Sequence, residues 1–168
     1  MATEALQIIG GLIALANAAR KILREQPFHD GTPETVCRAL RRVYFHPDGI
    51  LSLLTEIERG EMPSADRIED ALIKFNDQEW AIEEALSDLS FATLRNQLGL
   101  SLKHAEAVSG LAYGKTSLRQ SIQAEVNRYG QPGQRPNLSK VKALIAKIKE
   151  LNKSIVELDD EIGSRSRS

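Results

Sequence analysis

Aromatic residues are scarce, with Phe, Tyr and Trp together making up 5% of a chain that is 42% hydrophobic. The core must therefore come from Leu, Ile, Val and Ala, a mix that favours packed helices over a β-sandwich. Cysteine is scarcer still. Cys37 stands alone, which excludes an intrachain disulfide framework and suits a reducing compartment such as the cytoplasm. No segment shows the apolar–polar alternation of a strand. A long apolar run is also missing. From Ala5 to Ala19 fifteen residues carry no charge, spanning about 22 Å as a helix, short of the roughly 30 Å hydrocarbon core. Ala16-Asn17-Ala18 mimics a signal-peptide cleavage site, but Glu4 and the absence of Lys or Arg before the apolar run argue against export.

Charge is present in both signs and unevenly distributed. The net charge is −1, yet residues 1–100 hold 10 Lys/Arg against 16 Asp/Glu, and residues 101–149 hold 9 against 2. The two parts attract each other weakly, and the basic segment could equally face an anionic partner such as nucleic acid. A plain solvated face is the simpler reading of the same residues.

The 168 residues fit one domain with a substantial core. The first helix is expected over about residues 3–25, closed by Pro27. Thr32 is expected to cap a second, with Pro33 at its first position. The sequence His46-Pro47-Asp48-Gly49 should break this segment before Ile50. Ser64 then caps a long helix carrying Ile68, Phe75, Ile82 and Leu89 at seven-residue intervals. Trp80 lies off that stripe, at its flank or as a second contact. Ser101 caps a fourth helix running towards Tyr129. The fifth has Val141, Ile148, Ile155 and Ile162 at one heptad position and Leu144, Leu151 and Leu158 three residues after the first three. That pattern suits either a dimer seam or packing on the bundle, and Ile145 widens it towards the second. The fold expected is all-α, an up-and-down helical bundle of about five helices. Residues 1–130 form the bundle, 131–137 a linker and 138–162 the heptad helix, while 163–168 read as a tail left by cloning.

Candidate chemical motifs are few. Gly110 to Thr116 superficially matches a phosphate-binding loop, but three residues rather than four separate Gly110 from Gly114. The pair reads better as Gly-x-x-x-Gly helix packing, in contact with Gly10 and Gly11. Residues 101–122 can be laid on a helix-turn-helix with its turn near Gly110, at the cost of Arg119 in a core position. His29, His46 and His104 lack metal-ligand spacing. Cys37 lies beside Arg38, yet no base accompanies it, and a partly buried thiol is expected. No catalytic, metal or cofactor-binding set follows from these residues.

The opening Met1, Ala2, Ala5, Leu6, Ile8, Ile9, Gly11, Ile13, Ala14, Ala16, Ala18, Ala19 and Lys21 resembles the first helix of HeLo-like domains. Those are N-terminal helical bundles of fungal immune-receptor and cell-death proteins, similar in architecture to the mixed-lineage kinase-like executioner bundle. The resemblance covers about residues 1–25. It implies a bundle whose first helix engages membrane or mediates signalling when the domain oligomerises, carried here by Leu6, Ile8, Ile9, Gly11, Ile13 and Lys21. With Leu12, the apolar residues of this set form the candidate membrane or partner contact. The function expected is a non-enzymatic interaction module, self-associating or bound to a protein partner. A membrane-disrupting effector and a nucleic-acid-binding regulator are the alternatives, with a cytoplasmic or peripheral membrane location.

Overall fold

A computed structural model describes residues 4–26, 30–129 and 138–166. The expected linker 131–137, Pro27 and His29 lie outside the described residues, as does the side chain of Phe75. The protein is an all-α helical bundle, with no strand among the described residues. Its helices are α1 (Glu4–Glu25), α2 (Thr32–Arg41), α3 (Ser52–Glu58), α4 (Ala65–Leu86), α5 (Leu102–Ala112), α6 (Leu118–Tyr129) and α7 (Leu138–Ser166). Two short π-helical turns, Pro47–Leu51 and Thr93–Gln97, join them. About five helices is thus an undercount: the second expected segment is broken near His46 as anticipated, and the fourth is broken where no break was expected.

The first break lies at 42–46. Arg42 and Val43 donate their amides to Ala39 and Leu40 and close α2. Pro47 then lacks the amide that a continuing helix needs. Asn152 of α7 takes over the interrupted backbone, accepting from the Phe45 amide at 2.9 Å and donating to its carbonyl at 2.8 Å. The start of α2 also differs from expectation. Gly31, not Thr32, is the cap residue. The Asp30 carboxylate accepts from the Thr32 amide and hydroxyl, so the capping oxygen comes from one residue earlier.

The second break divides the expected fourth helix. α5 ends in a Schellman turn, with the Lys115 amide on the Gly110 carbonyl and the Gly114 amide on Leu111. Gly114 occupies the left-handed region at φ 70°. Ser117 restarts the chain by accepting from the Gln120 amide at 3.1 Å. Gly114 therefore sits in a turn and packs no helix against another, and the turn falls four residues after Gly110. The amides that a phosphate would need serve the helix's own end. An L-residue at position 114 meets left-handed backbone strain of about 1–2 kcal/mol. A Cβ there would have only ordinary contact with Glu83. Gly114→Ala and Gly114→Leu should consequently lose similar stability in urea denaturation; a far larger loss for Leu would restore overpacking as the cause.

α1 lies at the centre, packed on α2, α5, α6 and most extensively α7. Its Ile8, Ile9, Leu12, Ile13, Leu15 and Leu23 are buried. Gly11 admits α5 closely: a Cβ there would come within 3.1 Å of Ala107 Cβ and 3.3 Å of the His104 carbonyl. Gly10 has nothing within 4 Å of such an atom, so the glycine contact joins Gly11 to α5 and not Gly10 to Gly110. Gly110 is buried, and its close neighbour is Thr116. Val141, Leu144, Ile148, Leu151, Ile155 and Leu158 all face inward and are buried within the single chain. α1, α2 and α3 cover α7, which leaves none of these six on the surface as a dimer seam. α7 also continues through Gly163 and Ser164, so the tail expected from 163 onward is helical as far as Ser166.

Candidate docking face

Apolar residues that escape burial are the exception in this bundle, and two share one helix face. On α4, Ile73 is 56% exposed and Trp80 is 71% exposed. Seven residues apart, they stand almost in line along the helix. Ile82 and Leu86 on the opposite side enter the core. Trp80 is consequently an outward residue, not the flank of the buried stripe. Exposed Asp66, Asp70 and Glu84 continue the same line. α4 as a whole holds seven acidic residues against Arg67 and Lys74.

Beside this ridge runs a groove of about 410 Å³ between α4 and α6, with Ile68, Leu72 and Ile73 on one wall and Arg119 and Gln123 on the other. Arg119 donates from Nη1 to Gln123 at 3.3 Å, and its Nε stands 4.0 Å from Glu79. That Nε is buried without a hydrogen-bond partner among the described residues. Ser117 donates to the other Glu79 oxygen. The α4–α6 wall is therefore held by polar contacts from Ser117 and Arg119 at the start of α6, and Glu69 and Asn127 join the apolar residues in lining the groove.

The chain matches no protein-family model, no curated protein and no solved structure.

Of the expected membrane or partner residues, Ile8, Ile9, Leu12 and Ile13 are enclosed in the core and Leu6 is half-buried against it. The first helix is also longer than its uncharged run. At 22 residues it is long and apolar enough to span a membrane, the one such helix among the described residues. It is held in the bundle by charge as well as by packing. Arg20 donates to Glu157 at 2.5 Å and to Glu161 at 2.8 Å, and Arg24 reaches Glu161 at 2.8 Å. Arg41 of α2 pairs with Asp159. Burial raises the Glu161 pKa, but the Arg20 and Arg24 bonds outweigh it and hold the carboxyl below its ordinary 4.5. A carboxylate depressed in the folded state contributes stability that is complete above 4.5 and lost as pH falls through the lower folded value. Arg20→Gln should accordingly flatten the acid limb of a stability–pH curve, read by urea midpoints between pH 6 and about pH 3. An unchanged limb would show that the Arg20 bond to Glu161 adds nothing there.

Cys37 is buried beside Asp159, with Sγ 3.7 Å from Oδ1. Burial pushes its thiol up to about 11, against the lowering influence of Arg41. His46 packs edge-on to Tyr44, and the His104 amide donates to the capping Ser101. Among the described residues no three His, Cys, Asp or Glu side chains gather as a metal site.

Sequence reasoning misses Ile73. Its spacing from Trp80, off the Ile68–Ile82 stripe, is the signal that could have found it.

Proposed function

We propose that this protein is a helical-bundle interaction module that captures an α-helix on the outer face of α4. The observation that carries this reading is the exposed Ile73–Trp80 ridge, flanked by acidic residues and open to the α4–α6 groove. Aromatic anchors at the centre of a contact supply much of the binding energy, and complementary charge sets orientation and partner choice. A fitting partner is a helix with an apolar line between lysines, laid along α4.

Trp80 is the chain's single tryptophan, so its fluorescence reports on this face directly. Titration with a synthetic lysine–valine amphipathic helix should shift the emission to the blue, while a peptide with glutamate in place of lysine should leave it unchanged. An emission insensitive to both peptides up to about 1 mM, the weak end of specific binding, would remove the reading.

Membrane engagement by α1 is the second reading, favoured by its length and hydropathy and by its likeness to HeLo-like first helices. Because Ile8, Ile9, Leu12 and Ile13 are buried, it requires α1 to leave α7. Leakage of dye from anionic vesicles, abolished by an engineered disulfide between α1 and α7, tests it. Leakage that persists with the helices locked together counts against release.

A further inference from the structure

The outward face of α7 mirrors that of α4 in opposite charge. Lys142, Ala146, Lys149, Lys153 and Val156 are all exposed on the side opposite the buried heptad residues, within one narrow line of the helix. Residues 138–153 hold five lysines against Glu150. The two lines also share a spacing. Asp66, Asp70 and Ile73 on one repeat the intervals of Lys149, Lys153 and Val156 on the other. In a parallel arrangement both acids come level with lysines and Ile73 with Val156. Trp80 comes level with Gly163, where no atom lies within 4 Å of the space a Cβ would take. A flat glycine opposite a large ring lets the helices approach closely. Asp160, an exposed acid within the same line of α7, opposes the match.

Within one chain the two faces cannot serve each other. α4 packs on α2, α3, α5 and α6, whereas α7 packs on α1, α2 and α3, and both outward lines remain exposed.

We infer that the occupant of the α4 face is a second copy of this chain, docking through the outer lysine line of its α7. This rests on the reading of α4 as a helix-capturing face and names its partner. The contact joins two different surfaces, so a pair held by one such contact still offers a free α7 on one copy and a free α4 on the other. Such a head-to-tail contact builds rings if it closes and open filaments if it does not.

Sedimentation of the full chain at low salt should show species beyond dimer as concentration rises, returning towards monomer as salt screens the contact. Asp66→Lys with Asp70→Lys should weaken assembly by at least about tenfold in Kd. Lys149→Glu with Lys153→Glu should do the same. An equimolar mixture of these two variants should assemble again, because each supplies the charge the other has reversed. Far-ultraviolet circular dichroism and thermal melting confirm that both are folded. If a variant is unfolded, Trp80→Ala and Val156→Lys replace the pairs and should each weaken assembly. A monomeric wild type at every concentration overturns the inference, as does assembly indifferent to the α7 changes or a mixture of folded charge variants that stays monomeric. Binding of the lysine–valine peptide by a chain that does not self-assemble would leave the α4 reading standing and remove only this one.

Discussion

Cutting the chain after Gly130 should leave a fragment with helical circular dichroism but no cooperative melting transition. α7 lines the bundle with Val141, Leu144, Ile145, Ile148, Leu151, Ile155 and Leu158, all buried. Burial of each such side chain contributes about 1.5–3 kcal/mol. The deleted helix no longer has to be ordered, which returns part of that free energy. Even so, the loss is comparable with the whole of the roughly 5–15 kcal/mol of a typical domain. It also uncovers the apolar face of α1, so the fragment should bind a hydrophobic dye and aggregate on warming. A fragment that melts sharply as a monomer would mean α7 is an appendage of a self-sufficient bundle.

Leu12→Ala should destabilise the bundle far more than truncation of any exposed apolar side chain. Leu12 has no exposed surface, and it lies one residue after the close contact between Gly11 and α5. Removing its branched end leaves a cavity between rigid helices that cannot collapse far, at a cost of about 2–5 kcal/mol. Urea denaturation should show a large fall in midpoint with little change in slope. Ile73→Ala provides the comparison. With its side chain largely in water, it should change stability by only about 0.5 kcal/mol. Equal losses at the two positions would contradict the enclosed placement of α1.

Much of the helical framework is legible in local chemistry. The uncharged run after Glu4, the hydroxyl caps at Ser64 and Ser101 and the heptads after Leu138 each act within a few residues, so each leaves a short sequence signal. The break at 113–117 has signals too. Gly114 followed by Ser117-Leu-Arg-Gln120 combines a helix stop with a serine-led start. The continuous amphipathic pattern on either side masks them. The docking face is less accessible. Whether a tryptophan beside a buried stripe is covered depends on where α2, α5 and α6 settle around α4, which no spacing within α4 encodes. The inward orientation of the α7 heptads is similarly ambiguous, because a dimer seam and a bundle contact demand the same residues.

The pairing of α1 with α7 has a consequence for synthesis. The most apolar helix of this chain is synthesised more than a hundred residues before α7, the helix that packs on it most extensively. At about 5–20 residues per second, roughly 6–23 seconds separate their appearance. During that interval Ile8, Leu12 and Leu15 lack their final neighbour. The nascent chain therefore presents its most adhesive surface before it can hide it, and a holding chaperone would find its natural substrate in α1.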